Sequence, residues 1–264
     1  MKIAVAQIEC RPGDIDANLT RIHERVTRAA EKGCEVVVFP EMVDTGYELA
    51  AIQNLASRWD PDDPASPLAN VAEAARTAGV HVICGLSERT DSKLFNAAAV
   101  VDPSGKLVSK YRKSHLAAYP LLDEPAHIEP GASLDTVVIG DMLWGVSICY
   151  DLRFPEVSRR LTLDGAEVLV VCSAWPFPRV GHWQTLTRAR AIENQVYLLA
   201  ANRVGTDGGI TFAGSSCIID PYGAILARAA EDREALLVAE IDKGSVATTR
   251  EYMPVLKQRR EELY

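Results

Sequence analysis

Paired metal or redox ligands are missing from this sequence of 264 residues. Its six cysteines, at positions 10, 34, 84, 149, 172 and 217, form no Cys-x-x-Cys pair, and its five histidines form no His-x-x-x-His or His-Glu-x-x-His spacing. A metal site built from local ligands therefore has no support. A chain this long needs no disulfide staples, so the cysteines are expected to be reduced. No apolar run approaches the ~20 residues that span a bilayer. The start Met1-Lys2-Ile3-Ala4-Val5-Ala6-Gln7-Ile8-Glu9 is charged too early for the apolar region of a signal peptide. Both observations point to a cytoplasmic protein with no membrane partner. An excess of basic charge is missing too: 28 basic against 36 acidic residues give a net charge of -8, which removes a general electrostatic footprint for nucleic acid.

What is present is an ordinary globular composition, 48% hydrophobic and 24% charged, with no linker-like shift, so one domain over 1–264 is expected. Residues 2–8 and 35–40 read as buried strands. Between them Ile15, Leu19, Ile22, Val26 and Ala29 recur at steps of four and three, the stripe of an amphipathic helix. Ser66-Pro67 reads as an N-cap and first turn for a second helix, which Gly79 closes. Strands are expected at 80–86, 94–101 and 106–110, the last two joined by the turn Asp102-Pro103-Ser104-Gly105. After a loop at 117–133, strands at 134–139, 143–148, 167–172 and 196–202 alternate with helices at 155–163 and 182–194. Strands at 210–219, 224–229 and 235–241 complete the pattern. Helices need a sheet face and hairpins need an edge or a second sheet, so two mixed sheets facing each other with helices outside is the economical packing. Residues 244–264 read as a tail that packs against something rather than a core element.

Three residues stand just past apolar, strand-like runs: Glu41 in Phe39-Pro40-Glu41-Met42, Lys113 in Tyr111-Arg112-Lys113-Ser114-His115-Leu116, and Cys149 in Ile148-Cys149-Tyr150-Asp151-Leu152-Arg153-Phe154-Pro155-Glu156. Strands deliver such residues to a common sheet edge, where a base, a cation and a thiol together equip a thiol hydrolase. Most cysteines at strand ends are small buried hydrophobes, and Cys10, Cys34, Cys84, Cys172 and Cys217 take that reading. Cys149 differs because it leaves its strand at a corner before Pro155, which would present the sulfur and aim backbone N–H groups at a pocket. A free thiol with a pKa of about 8.5 is only slightly ionised at neutral pH, so it needs a partner. Glu41, if dry, would have its pKa raised toward neutrality and could take and return a proton; if wet, it is a solvated carboxylate. Lys113 is either a surface lysine or a buried donor to an oxyanion. His115 is the competing base, ranked second on the expectation that it points away from Lys113, with hydrogen bonding that fixes the lysine loop as its expected role.

Taken together, these segments resemble the nitrilase superfamily of carbon–nitrogen hydrolases. The resemblance extends through Arg188-Ala189-Arg190-Ala191-Ile192-Glu193-Asn194-Gln195-Val196-Tyr197 and Ile219-Asp220-Pro221-Tyr222-Gly223. It implies a four-layer α-β-β-α sandwich that dimerises through its helical layer, with the tail contributing to the subunit contact. It also implies Glu41 as base, Lys113 as stabiliser of the oxyanion, Cys149 as nucleophile, the Tyr150 backbone N–H as a second oxyanion donor, and no metal or organic cofactor. Glu124, seven residues before Gly131, matches a second active-site glutamate. Ala117-Ala118-Tyr119 replaces the aromatic and acidic residues of many relatives, so this loop is expected to be rebuilt.

The Tyr150-Asp151 pair after the cysteine resembles amide-hydrolysing branches, where true nitrilases more often carry tryptophan and glutamate. Ser173-Ala174-Trp175-Pro176-Phe177-Pro178-Arg179, Trp183 and Asn202-Arg203-Val204-Gly205 resemble omega-amidases, with deaminated glutathione amidases similar around Cys149. A small linear amide is the expected substrate, with the omega-amide of a small acid as the narrower reading. Arg153 could hold its carboxylate through a planar fork, or instead form a salt bridge to Asp151 or Glu156. Trp175 and Phe177 are candidate pocket walls, with Tyr47 a further candidate for substrate contact. The alternatives are a nitrilase or N-carbamoyl amine hydrolase with the same three groups, and a binding protein that keeps the scaffold without turnover.

Overall fold

The computed structural model describes residues 1–120 and 122–263. Strand β1 (Lys2–Gln7) leads into α1 (Ile15–Glu31), whose first turn is capped by the Asp14 carboxylate accepting from Ala17 N at 3.2 Å. Next come β2 (Val36–Val38), a short α2 (Ile52–Leu55), α3 (Pro67–Ala78), β3 (His81–Arg89), β4 (Leu94–Val101) and β5 (Leu107–Arg112). Gly79 ends α3 in the left-handed region at φ 68°, as expected. Ser66 sits at the N-cap position, but its hydroxyl donates to Arg58 O and accepts from Asp60 N, so it fastens the preceding loop and does not cap the helix. The β4–β5 turn is tied by Asp102, which accepts from Ser104 N and Lys106 N.

The expected loop at 117–133 contains a small hairpin, β6 (Ala118–Tyr119) and β7 (Leu122–Asp123), and a 3-10 turn at Glu124–Ala126; Leu121 within it lies outside the described residues. The second half runs through β8 (Thr136–Ile139), β9 (Met142–Ile148), a 3-10 turn over Cys149–Arg153, α4 (Pro155–Leu163), β10 (Val168–Ser173), α5 (Val180–Asn194) and β11 (Tyr197–Asn202). The single strand expected at 210–219 is two pieces. A two-residue ribbon, β12 (Thr206–Asp207) with β13 (Ile210–Thr211), is separated from β14 (Cys217–Ile219) by Gly214 and Ser215, both at positive φ, and this breaks the extended run. Strands β15 (Ile225–Arg228) and β16 (Ala235–Glu240) and helix α6 (Lys243–Tyr252) follow.

Two six-stranded sheets form, in the orders β16-β1-β2-β3-β4-β5 and β15-β14-β11-β10-β9-β8. Each has three parallel central strands flanked by antiparallel neighbours, so both are mixed. Alternation along β1 and β2 shows why the layers stack: Ile3, Val5, Val36 and Val38 join the core between the sheets, whereas Ala4, Ala6 and Val37 pack under α1 and α3. On the other side Val157 and Leu161 of α4 and Trp183 and Ala191 of α5 cover the second sheet. The result is the α-β-β-α sandwich.

The C-terminal segment packs against the body of its own chain. Its first half is a helix on this same chain, with Val246 and Thr249 buried, Gln195 Nε2 donating to Met253 O at 2.6 Å and Arg250 donating to Ala166 O at 2.9 Å. Tyr252, Met253 and Leu263 remain exposed, and Tyr264 lies outside the described residues. Among the described residues no helix is long and apolar enough to cross a membrane.

Candidate active site

Three chain exits meet at one edge of the sandwich. Beyond β2 the chain continues beside β3, with Phe39 N donating to Ile83 O and Gly85 N to Pro40 O, and this carries Glu41 inward. Met42, the next residue, has φ 47°, a left-handed conformation unusual for a methionine that turns the chain away at once. Gly85 makes the approach possible: a Cβ there would lie 2.4 Å from Pro40 O and 2.7 Å from Glu41 Cα. Lys113 follows β5 directly, its backbone N donating to Asn96 O at 2.8 Å and its carbonyl accepting from Gly131 N at 2.8 Å. Cys149 follows β9 with φ 44° and opens its 3-10 turn.

Glu41, Lys113 and Glu124 are fully buried together. Lys113 Nζ donates to Glu41 Oε1 at 2.9 Å and to Glu124 Oε1 at 2.7 Å. Glu124 also accepts from the Tyr47 hydroxyl at 2.7 Å and from Ala117 N at 2.6 Å. Glu41 Oε1 takes a further donor, Asn96 Nδ2 at 2.5 Å, and Oε2 accepts from Ala174 N at 2.7 Å. Two carboxylates face one ammonium in a dry cluster, a surplus of negative charge. Burial, with the neighbouring Glu124 charge, accordingly raises the Glu41 carboxyl above the usual carboxylate range despite the opposing pull of Lys113. Burial draws the Lys113 ammonium down, but the Glu124 and Glu41 charges outweigh it and push Lys113 well above its usual value.

Cys149 is 7% exposed. Burial pushes its thiol up, the Glu41 charge adds to this, and Lys113 pulls the other way. A thiolate does not form here unaided, so ionisation and proton transfer must be coupled. The other five cysteines are buried and unpaired, as the core reading expected.

His115 lies elsewhere. Its Nδ1 is 2.9 Å from Asp151 Oδ1, its ring stacks on Phe154 at 3.8 Å, and its backbone N also donates to Asp151. An extended segment would have put residues two apart on the same face; the chain leaves β5 at Arg112, and that is what separates His115 from Lys113. Asp151 is the buried hub of the thiol corner, accepting from Ile148 N and the Tyr111 hydroxyl as well. His115 therefore ties the segment that follows Lys113 to the turn that carries Cys149.

Of the expected substrate contacts, Arg153 makes neither alternative salt bridge. Its guanidinium lies 4.4 Å from the Trp175 ring centroid and 5.8 Å from that of Tyr150, with Nη1 3.3 Å from His182 Nδ1. Trp175 is buried behind it and donates to Arg179 O, so it backs the arginine and does not line an open wall. Phe177, 48% exposed, stands at the rim of a cleft of about 300 Å³. Tyr47 is buried and bonded to Glu124, which makes it a support for the cluster first; it also reaches a larger cleft of about 680 Å³. Both clefts share Tyr119, Pro120, Leu122 and Ile210 and so form one opening.

Asn96, Tyr119, Ser173 and the backbone N–H of Ala174 escaped the sequence reading. Asn96 carries the clearest signal: it is a lone amide in the apolar run Leu94-Phe95-Asn96-Ala97-Ala98-Ala99, and buried amides need partners. The Ala174 N–H has no sequence signal at all. Among the described residues no group of three or more His, Cys, Asp or Glu could hold a metal ion.

The profile of the carbon–nitrogen hydrolase family matches residues 2–251. A 2-oxoglutaramate amidase from Bacillus subtilis is 38% identical over 234 residues, 88% of each chain. A nitrilase from Pyrococcus abyssi is 33% identical and covers 100% of this chain and 99% of its own. Among solved structures, a mutant of the Nesterenkonia AN1 amidase, of the nitrilase superfamily, superposes with a TM-score of 0.87 at 27% identity, covering 100% of this chain and 95% of that one.

Proposed function

This chain belongs to the carbon–nitrogen hydrolase family, as a cysteine-dependent amidase of the nitrilase superfamily, and we propose that Cys149 attacks the amide carbon while Glu41 moves the protons and Lys113 holds the oxyanion. One observation carries the reading. An ammonium has three N–H bonds and a carboxylate about four acceptor sites. Lys113 spends two of its bonds on Glu41 and Glu124, and Glu41 accepts three among the described residues, so each keeps one for the reaction.

The thiol proton passes to Glu41 as sulfur bonds the amide carbon, and the carbonyl electron pair moves onto oxygen. That oxygen receives the remaining Lys113 N–H and the Tyr150 backbone N–H, whose place at the start of a 3-10 turn leaves it without an acceptor inside the turn. Collapse restores the carbonyl and breaks the C–N bond, and Glu41 returns its proton to nitrogen, releasing ammonia and leaving a thioester. Water then attacks with Glu41 as base; the C–S bond breaks, the acid leaves and the proton returns to sulfur. Glu124 stays bonded to Lys113, Tyr47 and Ala117 N and fixes the ammonium.

The substrate we propose is an omega-amide of a small acid. Arg153, held by aromatic faces and facing no carboxylate among the described residues, supports this, as does the activity named for the Bacillus relative. The name of the Pyrococcus relative favours nitrile hydrolysis as the second reading. The six unpaired cysteines support a reducing, cytoplasmic setting. Exposed Ile192 on α5 and exposed Tyr252, Met253 and Leu263 near the C-terminus support a homodimer formed through the α4–α5 layer and the 244–264 segment; light scattering tests it. Nucleic acid has no place in this reading.

The test of function is ammonia release from omega-amides, neutral amides, matched nitriles and carbamoyl amines. Cys149-dependent turnover of an acidic amide is the expected outcome. Turnover unchanged in Cys149→Ala or Glu41→Gln removes those assignments.

A further inference from the structure

Ser173 ends β10, the strand beside β9, and the parallel register that pairs Cys172 with Ile148 brings Ser173 level with Cys149. The residue is 0% exposed, and its Oγ has no hydrogen-bond partner among the described residues. A hydroxyl fully removed from water without a partner is costly, and such groups recur where a function needs them unpaired until a ligand or charge arrives. Its neighbours say which charge. Ala174, next in the chain, donates its backbone N–H to Glu41. Burial and the Glu41 charge push the Cys149 thiol up, and after Lys113 the Ser173 hydroxyl is the next group that pulls it down.

We propose that Ser173 is a positioning residue for the nucleophile: its hydroxyl completes a hydrogen bond to the Cys149 sulfur only as the thiolate develops. This rests on Cys149 being the nucleophile. The two groups that already face Cys149 leave a gap that Ser173 fills. Glu41 takes the proton but its charge disfavours the thiolate, and Lys113 favours the thiolate while its bonds are committed to carboxylates and the oxyanion. A neutral donor from the adjacent strand stabilises sulfur without competing for either proton path. It serves twice per turnover, at attack and again when the thioester expels the thiolate.

The experiment follows alkylation of Cys149 by iodoacetamide, a neutral reagent shaped like an amide, across pH 6–9, with peptide mass confirming the labelled residue. Ser173→Ala should displace the rate profile upward by about one pH unit, about tenfold in rate at a fixed pH on its rising limb. Amide turnover should lose kcat with KM little changed. Ser173→Thr and Ser173→Val are isosteric and differ in the hydroxyl alone; Thr should bring the profile back toward wild type and Val should not. An unmoved profile in Ser173→Ala, or equal displacement in Thr and Val, overturns the proposal. Cys149→Ala run in parallel separates the two levels: amide turnover that survives it defeats the nucleophile assignment itself, whatever Ser173 does.

Discussion

Asn96 holds Glu41 and Lys113 in one grip: its side-chain Nδ2 donates to Glu41 Oε1 at 2.5 Å while its backbone carbonyl accepts from Lys113 N at 2.8 Å. The side-chain bond favours the ionised form of a carboxyl that burial otherwise raises. Removing it makes Glu41 hold its proton more tightly, and the base must be ionised to act. Asn96→Ala should therefore move the acidic limb of kcat/KM upward, costing about tenfold at pH 6 and less at pH 8. Equal losses at both pH values would reduce Asn96 to a shaping role.

Lys113 neutralises two buried carboxylates, so losing it does more than remove an oxyanion donor. Lys113→Met should abolish turnover and destabilise the fold by about 3–5 kcal/mol at pH 8 in urea unfolding. The loss should shrink at pH 5, where protonation relieves the repulsion between Glu41 and Glu124. A pH-independent loss would mean packing of the alkyl stem dominates.

Gly85 leaves no room for a side chain against Pro40 and Glu41. Gly85→Ala should cost about 1–3 kcal/mol by overpacking and, by displacing Glu41, about a hundredfold in kcat/KM. Gly181, near the start of α5, has nothing within 4 Å of an added Cβ, and Gly181→Ala should leave activity intact and stability unchanged or slightly raised. Similar activity in both variants would sink the argument.

Asp44, three residues beyond Glu41, is buried, and burial pushes its carboxyl from 3.8 up to about 6 against hydrogen bonds from Ser87. With a folded pKa above the unfolded one, its contribution to stability is fully present below about pH 4 and is lost as pH climbs through 6. The change is worth about 3 kcal/mol at about 1.4 kcal/mol per pH unit. Asp44→Asn does not titrate there, so the stability of wild type minus variant should fall by that amount between about pH 3 and 7. A flat difference refutes the shift.

Arg153 presents its guanidinium between aromatic faces. Arg153→Met should raise KM for acidic amides by about tenfold or more and for neutral amides little. An equal effect on both would make the arginine structural.

Much of this was legible in order along the chain. Helix α4 at Pro155–Leu163 follows from Pro155 and its apolar spacing, and α1 follows from the stripe Ile15 to Ala29. The break within the strand expected at 210–219 is not legible, because its residues suit a strand and the positive φ of Gly214 and Ser215 leaves no trace in periodicity. The tail is legible as a segment that packs against something; what the sequence leaves open is that its first half is a helix docked on this chain, capped by Asp242 and held by Gln195 through two of its carbonyls.

By itself the sequence determined which atoms were available: a carboxylate and a thiol past the buried apolar strands β2 and β9, and an amine past β5, a half-exposed edge strand that is not the apolar run expected there. Its alternation and spacing determined the sheets and helices, because those periods are local properties of the backbone. The tertiary structure alone decided what the groups became. Lys113 turned out to sit between two carboxylates, Asn96 and the Ala174 N–H to hold Glu41, and His115 to face Asp151. Charge, desolvation and hydrogen bonding depend on neighbours brought from distant parts of the chain, and it is these neighbours that set the protonation of Glu41 and Cys149.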